Sequence, residues 1–220
     1  MSVLGQVSLV VPVHNEEKRL PSLLRSVDFS RFGEAIFVLD GCTDNSGALI
    51  PKSSRKLVLK RRRGKGFALR EGFLVSKKKF VCFVDADGTF SQKQVEGISA
   101  LAKRKGGLVL AERRTFPKKR AFKRNALRAI SKALFGITER DTQCGLLVIE
   151  REKFAGIFKN LSSAGYEFPI ELIFKAKNAG INVSTHPVDI PEENYDNSTF
   201  NETLDPLKML FSLIKLRLHG

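Results

Sequence analysis

The sequence is poor in the residues that many nucleic-acid-binding proteins and metal-stabilised folds rely on. Its 220 residues include no Trp, two Tyr and three His, and the His residues do not have metal-ligand spacing. Aromatic side chains are the usual platforms on which bases stack, and because the 17 Phe are expected mainly in the core, few such platforms are left. We expect no nucleic-acid partner, although a basic nucleic-acid-binding protein stays a rival class on charge alone.

Cysteine and long apolar runs are also scarce. Cys42, Cys82 and Cys144 are an odd number without CxxC spacing, which indicates reduced thiols and disfavours a disulfide or zinc framework. No apolar run reaches the roughly 18 to 20 residues that cross a bilayer. The first residues, MSVLGQVSLVVPV, lack a cationic segment, so we expect no signal peptide.

Acidic residues are few, 23 against 38 Lys or Arg, which gives a net charge of +15. A charge of this size predicts attraction to phosphate groups or to an anionic membrane surface; it is also compatible with a merely soluble, self-repelling surface. We expect a cytoplasmic protein that lies peripherally at the cytoplasmic face of a membrane.

Short apolar runs alternate with helical patterns, which predicts an α/β fold with a mainly parallel central sheet flanked by helices. The hydrophobic content of 42% is enough for the core of a single domain, 1–220. The expected strands are Val7–Val13, Ala35–Leu39, Leu57–Leu59, Phe80–Val84, Leu108–Ala111, Leu146–Ile149 and Val183–Ile190. The expected helices are Glu16–Val27 with Asn15 as its start signal, Lys65–Val75, Lys93–Lys103 after a capping box of Ser91 and Gln94, Phe122–Leu134 and Ile170–Ala179.

Polar and glycine residues follow the first four expected strands, where ligands bind in sheets of this kind. These segments read PVHNEE, LDGCTDNS, RRRGKGFALREG and DADGTF. In the last of them, Asp85 and Asp87 offer two carboxylates to one hard cation such as Mg²⁺, which also binds substrate phosphates. In the third, Lys65 lies between two glycines at a helix start, where backbone N–H groups favour an anion. Each motif alone is equally compatible with a solvated turn, but their succession predicts a ligand site.

Taken together, these motifs resemble the inverting family-two glycosyltransferases of the GT-A fold, a Rossmann-like fold of nucleotide-diphospho-sugar transferases. VPVHNE looks like their first nucleotide-binding strand, DGCTD like their base-binding segment, GKG like their glycine loop and DAD like their metal-binding motif. The resemblance implies a Mg²⁺ or Mn²⁺ ion held by Asp85 and Asp87. It also implies these donor-binding residues: Pro12, Asn15, Glu16, Asp40, Asp44, Lys65, Asp85 and Ala86.

Two later segments, DTQCG from Asp141 and FPIE from Phe168, are similar to segments of the dolichyl-phosphate β-glucosyltransferase branch of the polyprenyl-phosphate sugar synthases. This likeness implies transfer of a hexose, glucose from UDP-glucose, to dolichyl or polyprenyl phosphate with inversion, and Asp87 and Asp141 as catalytic residues. A GDP-mannose-dependent dolichyl-phosphate mannosyltransferase, or another family-two enzyme, stays open. The chain departs from the family pattern at three positions, where it has Leu39, Leu146 and Pro169.

The segment from Arg113 to Lys132 holds nine Lys or Arg and no acidic residue. It is compatible with a solvated face, but its place between two site motifs favours a lipid-phosphate contact, with Arg114 and Arg124 as the acceptor-binding residues. We expect a nucleotide-sugar-binding half (1–111), an acceptor-binding half (112–204) and a C-terminal amphipathic helix (205–220) capped by Asp205. That helix fits either a core or a membrane interface, and the polar segment 191–205 before it fits either a lid or a plain surface loop.

Overall fold

One seven-stranded sheet forms the centre of the part of the chain that the computed structural model describes, which comprises residues 2–115, 118–191 and 204–219. Its strands are β1 (Val7–Val13), β2 (Glu34–Asp40), β3 (Arg55–Leu59), β4 (Phe80–Val84), β5 (Leu108–Arg113), β6 (Leu146–Glu150) and β7 (Val183–Val188). Its helices are α1 (Leu20–Ser26), α2 (Ser46–Leu49), α3 (Lys65–Val75), α4 (Gln92–Lys105), α5 (Lys118–Phe135), α6 (Arg151–Lys159), α7 (Phe168–Asn178) and α8 (Leu204–His219).

The strand order is β3-β2-β1-β4-β6-β5-β7, and all neighbours run parallel except those of β6. β6 is antiparallel to both β4 and β5, between which it lies. The prediction of an α/β fold with a mainly parallel sheet is therefore confirmed. From β1 the chain builds outward first through β2 and β3 and then through β4, so the gap between β1 and β4 is a switch point, where open α/β sheets bind ligands.

Both faces of the sheet are buried, which explains why the strands read as continuous apolar runs. Along β1, Leu9 and Val11 pack into one core cluster while Val10, between them, packs into the other. Helix α3 approaches this strand closely, because a Cβ at Gly72 would lie within van der Waals overlap of the Val10 side chain. The close approach packs the second half of α3 against the middle of β1.

The expected strands agree with the observed ones to within two residues at each end, and the capping box at Ser91 is present. The expected start of the first helix was wrong. Asn15 has a positive φ of 53° and bonds to Thr43, and α1 begins only at Leu20. Helix α6 was not predicted, since it follows β6 directly and its N-cap, Glu150, makes no side-chain cap.

Helix α8 begins at Leu204, one residue before the expected cap Asp205, so Asp205 lies inside the helix. Its Met209, Leu213 and Leu216 are buried, and it packs against α5. In the described ranges, none of the helices has the length and apolar character needed to span a membrane. Most of the expected lid, residues 192–203, lies outside the described residues. The three cysteines are free thiols.

Candidate active site

Three motifs that are far apart in sequence meet at Asp85, the first residue after β4. Lys65, the first residue of α3, places its Nζ 2.6 Å from Oδ1 and 2.8 Å from Oδ2 of this carboxylate. The backbone N–H of Asp85 donates a hydrogen bond of 2.9 Å to the carbonyl of Gly145. The DAD, GKG and DTQCG segments therefore form one cluster at the carboxyl edge of the sheet.

Glycine is the only residue type that fits at position 145, beside this carboxylate. A Cβ at position 145 would lie 2.0 Å from Asp85 Oδ2 and 2.3 Å from its Cγ, far closer than non-bonded atoms allow. The carboxylate of Asp85 thus occupies the space that a side chain at 145 would fill. This contact gives a physical reason for the glycine that ends the DTQCG segment.

Asp87 follows one buried residue later, after Ala86. Its Oδ1 accepts a 2.9 Å hydrogen bond from the N–H of Thr89, across a turn in which Gly88 has a φ of 76°. Asp87 is therefore a turn residue whose carboxylate also lies near enough to raise the pKa of Asp85. The turn and the predicted metal-binding role are compatible, because one oxygen accounts for the turn.

Burial and charge act on the ionisable groups of this cluster in opposing directions. Burial raises the pKa of Asp85, the attraction of Lys65 lowers it, Asp87 raises it again, and the net effect is a rise. For Lys65, burial lowers the pKa, but the attraction of Asp85 outweighs burial and the net shift is upward. Lys65 therefore carries its charge at neutral pH and partly compensates two neighbouring carboxylates.

A third carboxylate, that of Glu16, lies within electrostatic range of the same cluster. Its pKa is raised to about 7, mainly by burial, with further contributions from Asp87 and Asp85; its ion pair with Arg19 opposes the rise. The Arg19 guanidinium lies 2.6 Å from Glu16 Oε2. Added positive charge in this region would favour the ionised form of Glu16.

The backbone N–H groups at the start of α3 do not face an open anion site. Those of Gly66 and Phe67 both donate to the carbonyl of Ala164, at 2.8 and 3.3 Å. Gly64 has a φ of 105°, and any Cβ there would overlap the same carbonyl oxygen. The expectation that these N–H groups bind an anion was therefore wrong. The glycines of this loop instead allow the backbone of Ala164 to pack closely against it.

Asp40 closes the other side of this loop. It is buried at the end of β2, and its carboxylate accepts the N–H groups of Arg63 and Gly64 at 2.6 and 2.8 Å. Its carbonyl lies 2.6 Å from Nδ1 of His14. Asp40 therefore joins the ends of β1 and β2 to the loop before α3, and its expected contact with a nucleotide base stays a prediction.

An open cleft of about 490 Å³ lies at the ends of β1 and β2, and Asn15, Glu17, Lys18, Arg19 and Asp44 line it. Slight burial would raise the pKa of Asp44, but hydrogen bonds from Ser46 and from the Glu17 N–H outweigh burial and lower it, which keeps its carboxylate ionised. Two predicted donor-binding residues, Asn15 and Asp44, thus share one cleft. Pro12, half-buried in β1, lies just before it in sequence.

Asp141 is buried and already paired. Nε and Nη2 of Arg113 donate to its two oxygens at 2.7 and 2.8 Å, and the N–H groups of Arg113 and Gln143 donate to them at 3.2 Å. Four hydrogen bonds thus hold the Asp141 carboxylate in one orientation, which suits it to orient the groups around it. Arg113 was not predicted as a site residue. The expected strand ended at Ala111, whereas β5 ends at Arg113, so a search of strand ends with the correct bound would have identified it.

The predicted acceptor residues differ in their surroundings. Arg114, at the exposed edge after β5, lies 3.3 Å from the Asp189 carboxylate. Arg124 lies on α5, and its Nε and Nη2 donate to the amide oxygen of Asn125 on the same helix, at 3.3 and 3.1 Å. Arg114 directly follows Arg113 in the sequence, whereas Arg124 lies on a different element. The acceptor-binding roles of Arg114 and Arg124 therefore stay two separate predictions.

Glu171 of the FPIE segment supports the loop against which the glycines pack. It is fully buried and accepts hydrogen bonds from the N–H groups of Ser162 and Ser163, as well as an ion pair from Lys175. Burial raises its pKa, but these donors outweigh burial and lower it. Pro169, a departure from the expected pattern, occupies the first turn of α7, where proline is tolerated.

A Rossmann-like sheet that ends in an acidic DxD pair beside a lysine, with a polar cleft at the first two strands, defines the GT-A class of sugar-nucleotide-dependent transferases. Residues 8–165 match the description Glycosyl transferase family 2, and the chain belongs to this family. It is therefore a glycosyltransferase.

Two named relatives align along nearly the whole chain. Dolichyl-phosphate beta-glucosyltransferase of Dictyostelium discoideum is 30% identical over an alignment of 242 positions, which covers 96% of this chain and 73% of that protein. The enzyme of the same name from Saccharomyces cerevisiae is 27% identical over 249, covering 96% and 74%. Among solved structures, glucosyl-3-phosphoglycerate synthase from Mycobacterium tuberculosis, in complex with Mn²⁺, UDP-glucose and phosphoglyceric acid, shares the fold. Its TM-score is 0.72 at 21% identity, with 97% of this chain and 78% of that one covered.

Proposed function

We propose that this enzyme transfers glucose from UDP-glucose to a dolichyl or other polyprenyl phosphate, with inversion at the anomeric carbon, and so forms a β-linked lipid sugar phosphate. The observation that carries the proposal is the meeting of Lys65, Asp85 and Gly145 at the end of β4. The two dolichyl-phosphate beta-glucosyltransferases, aligned over 96% of the chain, support the acceptor and the sugar. The solved relative with bound UDP-glucose supports the donor.

Asp85 and Asp87 would hold a Mg²⁺ or Mn²⁺ ion in this enzyme. Their carboxylate oxygens are the hard ligands that both ions prefer, and Gly145 leaves no side chain against those of Asp85. When bound, the ion supplies charge neutralisation for the departing nucleoside diphosphate. Lys65, charged and in contact with Asp85, is the protein's own cation for the same diphosphate.

The acceptor needs no strong base. A phosphate monoester has a second pKa of about 6, so its oxygen is already ionised near neutral pH. This matches the pairing of Asp141, whose carboxylate is occupied by Arg113 and serves in our proposal to orient reacting groups. Arg114 and Arg124 are proposed to contact the acceptor phosphate, and the enzyme is proposed to act peripherally at a cytoplasmic membrane face.

Lipid labelling tests the donor and the acceptor together. The full chain is incubated with dolichyl phosphate and labelled UDP-glucose, UDP-N-acetylglucosamine or GDP-mannose, with and without Mn²⁺. We expect label in the lipid phase from UDP-glucose, and only with the ion. Label from GDP-mannose alone would overturn the donor assignment, and no lipid labelling from any donor would overturn the acceptor class.

A variant pair tests the metal-binding carboxylate. Asp85→Asn should lower transfer by about 100-fold or more, as expected for loss of a group that stabilises developing charge. Glu152→Gln, which removes one carboxylate charge on the exposed side of α6, should leave the rate unchanged. Undiminished, metal-dependent turnover by Asp85→Asn would remove Asp85 from the metal site.

A further inference from the structure

Helix α8 has two apolar faces, and within the part of the chain that the structure describes only one of them is buried. Met209, Leu213 and Leu216 are buried, at a spacing that places them on one side of the helix. On the opposite side, Phe211 is 71% and Leu218 73% exposed. An amphipathic surface helix would carry polar side chains at these outward positions.

This outward face is unusual for the molecule. Among the described side chains, six large hydrophobic residues are exposed, and three of them, Phe211, Ile214 and Leu218, lie on α8 at spacings of three and four residues. The other three are single residues on α2, β3 and α3. Scattered exposed apolar residues need no explanation, but a contiguous apolar patch indicates an interaction surface.

The charged side chains that the structure describes on α8 and on α5 are basic. Lys215 and Arg217 are exposed on α8, and the sequence from 209 to 218 contains no acidic residue. Helix α5, which packs against α8, exposes Arg128 and Lys132 and also contains no acidic residue. A surface that combines exposed apolar side chains with exposed basic ones is complementary to anionic lipid headgroups over an acyl boundary.

We propose that the outer face of α8 (Phe211, Ile214, Lys215 and Leu218) docks on an anionic lipid bilayer. The apolar side chains enter the interface, while the basic side chains of α8 and α5 meet the headgroups. The inference deepens the proposed function, on which its biological role rests, because it names the surface through which the enzyme approaches a membrane that carries its acceptor. The physical contact with lipid does not require turnover.

Sedimentation of the full chain with vesicles tests the contact. We expect binding to vesicles of phosphatidylcholine with phosphatidylserine, weaker binding to phosphatidylcholine alone, and a decrease with salt. The double variant F211S/L218S should have a partition coefficient into the vesicles at least about tenfold lower than that of the unmodified chain. The reason is that the transfer of Phe and Leu side chains out of water favours binding, and serine lacks this contribution. Lys215→Gln with Arg217→Gln should weaken binding to the anionic vesicles only.

The matched control is V58S/L74S, which removes two exposed apolar side chains that lie on β3 and α3 instead of α8, and it should bind vesicles like the unmodified chain. Equal vesicle binding by F211S/L218S and the unmodified chain would overturn the proposal, as would no binding to anionic vesicles. A dimer, detected by light scattering, that dissociates in F211S/L218S while vesicles are not bound would assign the face to a second copy of the chain and overturn it too.

The two proposals fail in different ways. Vesicle binding is measured without nucleotide sugar, so a chain that binds vesicles yet labels no lipid would refute the proposed function alone. A chain that labels detergent-dispersed dolichyl phosphate yet does not bind vesicles would refute the docking surface alone. Circular dichroism of each variant checks that the helix and the fold are retained.

Discussion

The ammonium group of Lys65 contacts both carboxylate oxygens of Asp85, at 2.6 and 2.8 Å, so a divalent ion bound by this carboxylate would have to share it with the lysine. The two residues are 20 positions apart in the sequence. Lys65 begins helix α3, and Asp85 directly follows strand β4. Lys65 and the ion are therefore competitors for Asp85.

This competition predicts opposite effects of Lys65→Met on metal binding and on transfer. Mn²⁺ should bind the substrate-free variant about tenfold more tightly, because a unit positive charge in contact with Asp85 is removed. Transfer should fall, because the diphosphate loses a cation. Titration of Mn²⁺ by electron paramagnetic resonance measures the first effect and lipid labelling the second. Lys153→Met, which removes an exposed lysine paired with Glu150, is the control, and weaker Mn²⁺ binding by Lys65→Met would contradict the competition.

Gly145→Ala should displace the Asp85 carboxylate, since the new Cβ would lie 2.0 Å from its Oδ2. We expect transfer to fall by about 100-fold or more. Gly156→Ala is the matched control, because no atom lies within 4 Å of a Cβ there and alanine favours helix α6 by roughly 0.5 to 1 kcal/mol. Rates and urea unfolding are measured for both variants. A Gly145→Ala enzyme of normal activity would show that the carboxylate need not lie where it does.

Replacing Arg113 should destabilise the fold through Asp141. Arg113→Met leaves a buried carboxylate without its bidentate partner and should lower the free energy of unfolding by about 3 to 5 kcal/mol. Arg113→Lys keeps the charge but not the two parallel hydrogen bonds, so it should lie between this variant and the unmodified protein. Urea unfolding measures both. Arg104→Met, at an exposed position in the last turn of α4, should change stability by less than about 0.5 kcal/mol. Equal stabilities of Arg113→Met and Arg104→Met would disprove the structural role of the pair.

Glu16 predicts a specific pH dependence of stability. Its pKa of about 7 in the folded protein exceeds the ordinary 4.5, so the folded state binds the extra proton and loses stability as pH rises between these values. The side chain introduced by Glu16→Gln cannot ionise. The free energy of unfolding of this variant, relative to that of the unmodified protein, should therefore rise by about 2 kcal/mol from about pH 5 to about pH 8. Urea unfolding in metal-free buffer at both pH values measures the gain. A gain that is the same at both pH values, or one shared by Glu152→Gln, would rule out this assignment.

The strands were predictable from sequence because both faces of the sheet are buried, which leaves runs such as Phe80–Val84 without a polar interruption. Lys65 and Asp85 were predictable as members of one cluster, since each belongs to a segment that follows a strand and the ends of parallel strands meet at one edge, whereas Gly145 reaches that edge because it precedes the antiparallel β6. The contacts themselves were not. No local pattern relates Lys65 to Asp85, or Arg113 to Asp141, because these pairs form only when α3, β4 and β5 are packed on one sheet.

The glycine loop shows why a motif can be found and still be misread. Gly64 and Gly66 indicate close backbone approach, which is what the structure contains. The approaching group is the carbonyl of Ala164, about 100 residues further along the chain, and not an anion. A glycine motif predicts close approach of another group, but it does not identify that group.

Strand β6 has a consequence for the synthesis of this protein. It lies between β4 and β5 yet follows both in the chain, so a nascent polypeptide that has reached α5 holds two finished strands without the one that joins them. The fully buried residues of β4 would then present an unpaired apolar edge, which is a template for aggregation. The dependence of the growing chain on chaperones should therefore last until Glu150 has left the ribosome.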